Sequence, residues 1–486
     1  MSLLYRSAFG IAEDIKARQI SAVDVLTFFL DRIDTFNAEL NAVVAMDTDA
    51  ALTRARAADE AADRGEDWGP LHGVPLTIKD AYCTAGLVTV GGIPARAEHI
   101  PRRNAAAVQR YINAGAIVFG KTNVPFMSAD LQVFNDVYGV TNNPWRRDRT
   151  CGGSSGGSAA ALAAGLTPLE LGSDIGGSIR TPCHFNGVFG HKPTYGLVSL
   201  QGHLPPGEDV LSEPDLSVAG PLATCVDDLE KALDVLIGPA PGVAAEHPFN
   251  LPAAGFDAVD QLRVAVWSND SFCPVDPVIA EHVEAAADCL EGLGASVDRR
   301  ARPDIDPEAN HHNYTQLMLS VLGADMPESV RRMAESRVAE ADPDDMSEPL
   351  LQMRGIALSH RDWLRQNEIR MRTRRAWASF FTHYDVLLCP CAHVPAFPHD
   401  HAEDMQSRLL HVDGVARPYT EILRWAGLTL NALLPATAVP LGTTRDGLPV
   451  GCQIAAAHMG DRTSLAVARL LETHHRSFVP PPGYSH

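Results

Sequence analysis

TCGGSSGGSAAALAAGLTPLELGSDIGGSIRTP, residues 150–182, holds two glycine–serine clusters set about one helix apart. A flexible linker would run on into more low-complexity sequence. Here the first cluster opens onto the small-residue run 159–165, which reads as a helix. The second follows Leu169-Glu-Leu-Gly-Ser173, which reads as a short strand. Glycines at such junctions permit positive φ and close backbone approach. They also leave several N–H groups free to converge on one point, as an anion or an oxyanion requires. The phosphate-loop pattern GxxxxGK[ST] is absent, and so is a helix-borne S-x-x-K pair. Any lysine acting on these serines must come from far away in the sequence.

The chain has 486 residues, of which 45% are hydrophobic and only 6% aromatic, so aliphatic side chains and alanine must fill the core. The net charge of −20 excludes nucleic acid as the main partner, because phosphate neutralisation needs a basic surface. The first twenty residues carry charges and no continuous apolar run, and no stretch of 18 apolar residues occurs anywhere. Neither an export signal nor a membrane partner is expected, and a cytoplasmic location is. Nine irregularly spaced cysteines read as reduced thiols. The lone Cys389-x-Cys391 lacks a second cluster, and His399–Asp404 reads as a solvated loop, so no metal is expected. Only five of the 40 basic residues are lysines: Lys16, Lys79, Lys121, Lys192 and Lys231. Lysine can give up its proton when desolvated and arginine cannot, so each buried lysine raises a chemical question.

Outward from the quoted stretch, helices alternate with short strands, the rhythm of an α/β layer structure. Ser21 caps a helix whose apolar stripe is Val25, Leu26, Phe29, Ile33 and Phe36, and a second helix is predicted over 50–64. Val74, Leu76 and Ile78 alternate with Thr77 and Lys79, placing Lys79 at a strand end. A strand is predicted over 116–120, a helix over 224–237, a strand over 262–267 and a helix over 278–293. Residues 238–255 read as a long surface connection, and the acidic stretch 334–348 as solvated. A mostly helical segment covers 359–384. Residues 429–450 alternate apolar stretches with turns, and a final helix spans 462–472.

With these pieces in hand, the chain resembles the amidase signature family. The resemblance rests on Gly73-Val-Pro-Leu-Thr-Ile-Lys-Asp80, Gly120-Lys-Thr-Asn123, Gly139-Val-Thr-Asn-Asn-Pro-Trp145, the two glycine–serine clusters, Lys192-Pro-Thr-Tyr-Gly196 and Gly447-Leu-Pro-Val-Gly451. These occur in family order across roughly residues 20–475. The resemblance implies an α/β fold, a mixed β-sheet core sandwiched between α-helical layers. It implies one catalytic domain over 1–486, with a helical flank at 1–65, the signature core at 66–240 and a variable helical substrate region near 300–385. It implies no cofactor, a small-molecule amide substrate and a homodimer. It assigns Lys79, Ser154 and Ser178 as the catalytic set, with Ser154 following a cis peptide and Ser178 as nucleophile. The oxyanion hole falls on backbone N–H groups of Ile175, Gly176, Gly177 and Ser178. Cys151 and His191 depart from the family's usual proline and apolar residue.

The residue types suit that chemistry. A serine hydroxyl needs a base, and a buried lysine can be neutral enough to serve. The implied reaction is amide C–N hydrolysis through an acyl-enzyme, and the same machinery accepts anilides, esters and carbamates. Taken alone, Lys79 reads first as a partner for Asp80, and Ser154 and Ser155 as turn serines. Asp174 and Arg180 read as a structural pair bracing the turn, and Lys121 and Lys192 as structural. Two other functions share the motifs: a glutaminase-type subunit of a transamidation complex, and a silent binding protein.

Overall fold

The computed structural model describes residues 3–205, 207–239, 242 and 249–485. Residues 240, 241 and 243–248 of the predicted connection 238–255 therefore lie outside the described residues. The fold is α/β, built on a mixed eight-stranded sheet. In spatial order the strands are Ser296–Asp298, Arg263–Val266, Val386–Pro390, Pro449–Ala456, Ala436–Thr443, Phe189–Lys192, Val218–Ala223 and Leu169–Asp174. The first three pair in parallel and the rest antiparallel. Every residue of Pro449–Ala456 is buried, so both faces of the sheet centre are covered. Helices Val226–Leu236, Pro277–Gly292 and Asp461–His474 pack together along it, and Gly156–Ala163 and Arg180–Asn186 form another packed pair.

A second sheet of three strands places Val43–Met46, Ile117–Thr122 and Pro75–Lys79 side by side. The expected helical flank at 1–65 thus also supplies a strand, Val43–Met46, antiparallel to Ile117–Thr122. The capping serine behaves as its sequence implies: Ser21 Oγ accepts the N–H of Asp24 at 2.9 Å. One apolar cluster extends from Ala8 to Tyr484 and draws on both sheets.

The region near 300–385 is helical over Pro307–Leu322, Glu328–Glu340, Glu348–Ile356 and His360–Phe380. The acidic stretch 334–348 is largely exposed, as its composition implied, and its first part, through Glu340, is helical. Glu328 and Glu335 pair with Arg331, and Glu328 also with Arg332, at helical spacing that supports a polar helix. Only residues 341–347, around Pro343, interrupt it. No helix among the described residues is long and apolar enough to cross a membrane.

Candidate active site

The strand Pro75–Lys79 is buried along its whole length and ends on Lys79. Its neighbour in space is Leu169–Asp174 of the large sheet: Thr77 N–H donates to Thr167 Oγ1 at 3.1 Å, and Thr77 Oγ1 bonds the Glu170 carboxylate. This docking brings Lys79 Nζ to 2.7 Å from Ser154 Oγ and 2.9 Å from Ser173 Oγ. The side chain is fully buried, and its two direct partners are hydroxyls. Burial pushes the ammonium down to about 7, against the opposing pull of Asp174 and Glu170. Asp80 does not pair with Lys79. Its carboxylate turns away and accepts the N–H groups of Val90 and Gly91.

The two glycine–serine clusters meet beside this lysine. The Gly153–Ser154 peptide is cis. Ser155, at the start of helix Gly156–Ala163, stitches the clusters together. Its N–H donates to the Ser178 carbonyl at 3.1 Å, and its hydroxyl bonds the backbone of Ser173. Gly157 permits the close approach: a Cβ there would lie 2.5 Å from the backbone N and O of Asn123.

The second turn is fixed by Asp174 at the end of its strand. The carboxylate accepts the N–H of Gly177 at 2.8 Å and of Ile179 at 3.2 Å, and takes both Nε and Nη2 of Arg180 at 3.0 Å. Arg180 also reaches Thr429 and Gln453 at 2.7 and 2.6 Å. Burial would raise the Asp174 carboxyl, but Arg180 outweighs it and holds the group below its usual value. The pair is wholly buried and braces the turn, as the sequence reading expected. Gly177 lies at φ +95°, in the region that favours glycine.

Ser178 sits on this turn, 5% exposed, and its carbonyl accepts the N–H of Ser155, the residue after Ser154. Among the described residues, the N–H groups of Ile175, Gly176 and Ser178 and the Ser178 hydroxyl have no hydrogen-bond partner. Of the four N–H groups the resemblance assigns to the oxyanion hole, that of Gly177 donates to Asp174. Tyr314 Oη donates to the Ile175 carbonyl at 2.7 Å and so fixes the peptide plane that presents the Gly176 N–H. Two contributors escaped the sequence reading. Ser173, inside the quoted stretch, touches the lysine, and His203 Nε2 lies 2.9 Å from Ser173 Oγ.

The remaining lysines are structural in geometry. Lys121 bonds the Tyr82 carbonyl and Thr84 Oγ1, and Lys192 bonds the carbonyls of Leu434 and Pro193. His191 is buried between Thr437 and Asp461. Cys389 and Cys391 are buried free thiols. Among the described residues, Cys83, His99 and Glu208 bring three ligand-type atoms within 4.8 Å of one another. Glu208 there accepts the Arg102 N–H, and the charge of Lys121 beside Cys83 opposes a cation. A cleft of about 940 Å³ between Arg149, His282, His399 and Leu409 contains none of Lys79, Ser154 or Ser178. Lys79, Ser154 and Ser173 meet elsewhere, where the two sheets dock.

A family profile described as amidase matches residues 24–465. The chain belongs to the amidase signature family. Members of this family hydrolyse amides, and this chain is an amide-hydrolysing enzyme. It is 32% identical to an indoleacetamide hydrolase of Bradyrhizobium diazoefficiens, over 96% of this chain and 86% of that protein. It is also 32% identical to a glutamyl-tRNA(Gln) amidotransferase subunit of Acidothermus cellulolyticus, over 98% and 95% of the two chains. A solved amidase structure superposes with a TM-score of 0.78 at 28% identity, covering 97% of this chain and 100% of the other.

Proposed function

We propose that this amidase works through Ser178 as nucleophile, Ser154 as proton relay and Lys79 as general base. The observation that carries the reading is the buried Lys79 amine, held by hydroxyls and pushed down to about 7, beside a turn with three unpartnered N–H groups. Neutral Lys79 takes the proton of Ser154, which takes that of Ser178 as Ser178 Oγ attacks the amide carbon. The oxyanion is received by the N–H groups of Ile175, Gly176 and Ser178. The proton then returns through Ser154 to the leaving nitrogen, the C–N bond breaks, and the acyl-enzyme forms. Water, deprotonated by the same relay, releases the acid. Each such oxyanion donor is worth about 2.7–4 kcal/mol of barrier. Esters, anilides and carbamates pass through the same acyl chemistry.

The side chains packed about Ile175 favour an apolar acyl group. Ile175 on the nucleophile turn packs in a cluster with Leu216, Tyr314, Met318, Leu423 and Ala426, drawn largely from the helical region after residue 300. The indoleacetamide-hydrolase relative points the same way. Nine free cysteines and the acidic composition support a cytoplasmic setting. The similarity to an amidotransferase component supports a second reading, an ammonia-supplying subunit of a complex. A substrate panel separates the two. Purified chain should hydrolyse arylacetamides and anilides unaided, with kcat/KM well above that for glutamine. Glutamine turnover that appears only with partner subunits would favour the second reading.

A further inference from the structure

We propose that His203 is a positioning residue that sets the direction of the hydrogen-bond chain around Lys79, acting through the Ser173 hydroxyl so that the amine's lone pair stays aimed at Ser154. The inference rests on the assignment of Lys79 as base. Residues 202–205 lie outside the motifs that carry the family resemblance.

The geometry fixes each proton in turn. His203 Nδ1 lies 3.3 Å from the Pro205 carbonyl oxygen. A carbonyl has no proton to give, so Nδ1 carries the hydrogen and donates it. Burial and the neighbouring Lys79 hold the imidazole down to about 3, so the ring is neutral and Nε2 is a bare lone pair. Ser173 Oγ, 2.9 Å away, must then donate to Nε2. A serine hydroxyl has one proton. Once that proton is committed to His203, Ser173 offers Lys79 only lone pairs, and it accepts one N–H of the amine at 2.9 Å. The neutral amine keeps a single lone pair, and Ser154 at 2.7 Å is left as the hydroxyl that can donate to it. Without His203, the Ser173 hydroxyl is free to rotate and donate to Nζ. It would then occupy the site that must receive the proton from Ser154.

The imidazole is placed by backbone pairing. Tyr82 and His203 form an antiparallel bridge just beyond Lys79. Cys83 N–H donates to the Gly202 carbonyl at 2.9 Å and Leu204 N–H to the Ala81 carbonyl at 2.6 Å. The Tyr82 and His203 rings meet edge to face at 4.9 Å. Tyr82 Oη donates to the Gly172 carbonyl at 2.7 Å, tying the same unit to the residue before Ser173.

The test is a double-mutant cycle on the purified enzyme, read as the rate of Ser178 labelling by a fluorophosphonate and as the pH profile of kcat/KM for a neutral amide. His203→Phe keeps a ring and removes the acceptor. It should lower kcat about tenfold, the scale of one hydrogen bond misplaced, with little change in KM. Its acid limb should move to lower pH, because a hydroxyl donating to Nζ favours the neutral amine. The charged and titrating groups around Lys79 and His203 are Asp174 and Glu170 on the lysine, Lys121 on the imidazole, and Tyr82, which touches Ser173. They are the same in every variant, so the difference in limb isolates the altered hydrogen bond. His203→Gln, whose Oε1 can take the place of Nε2, should recover most of kcat. In a Ser173→Ala background, His203→Phe should change neither rate nor limb. If the Phe variant does not fold, His203→Leu against His203→Gln makes the same comparison. An equal cost of His203→Phe in both backgrounds would overturn the proposal, as would an unchanged kcat and limb. So would a ¹⁵N spectrum, assigned by loss of the signal in His203→Gln, with the proton on Nε2.

Discussion

Lys79→Arg should cost nearly as much activity as Lys79→Ala. The side chain is fully buried, and burial carries the amine from its ordinary 10.5 to about 7. That shift is on the order of 5 kcal/mol against the ammonium at this position. The fraction of neutral lysine is then about one half at pH 7 and about one hundredth at pH 5. The wild-type kcat/KM should therefore rise about tenfold per pH unit up to neutrality and level off above it. A guanidinium cannot be neutral in this range, so arginine keeps the charge and supplies no base. The expected loss is about 10²–10⁴-fold, with only the N–H cradle and substrate binding left. The assay is kcat/KM between pH 5 and 9 on an uncharged amide, for wild type and both variants. A flat wild-type profile, or an arginine variant retaining most of the turnover, would refute the reasoning. The same shift has a stability consequence. The folded value lies below the unfolded one, so between about 7 and 10.5 the unfolded chain binds more protons, and the Lys79 contribution to stability rises with pH through that window. Lys79→Met should accordingly raise Tm at pH 6 while abolishing activity.

Arg180→Gln removes one member of a wholly buried pair and should destabilise the chain by about 3–5 kcal/mol in urea unfolding. Tyr314→Phe frees the Ile175–Gly176 peptide, so kcat should fall with little change in KM, as steady-state kinetics would record. We expect a homodimer, so sedimentation at micromolar concentration should give twice the 52.2 kDa of one chain; only the single-chain mass would remove that expectation.

The parts of the site that were legible in the sequence are those set by local pattern. The alternation through Leu76 and Ile78 put Lys79 at a strand end, and the position of Asp174 and Arg180 on either side of the second glycine–serine turn suggested their pairing. What could not be read depends on distant chain. His203 reaches Ser173 across 30 positions, through a bridge to Tyr82 that no periodicity announces. The Gly177 N–H goes to Asp174 because of a turn geometry that glycine content alone leaves open. The central strands Ala436–Thr443 and Pro449–Ala456 are buried nearly throughout, so they show no clean alternation and read only as apolar stretches between turns. The helix Glu328–Glu340 buries only Ala334, and its i,i+4 ion pairs give no hydrophobic stripe to detect.

The most direct test of the account is the site of covalent trapping. The enzyme is treated with a fluorophosphonate, digested, and the adduct located by peptide mass spectrometry. The account predicts a single adduct on Ser178, absent from Ser178→Ala and formed far more slowly in Lys79→Ala. An adduct on Ser154 or Ser155, or labelling that persists in Ser178→Ala, would contradict it.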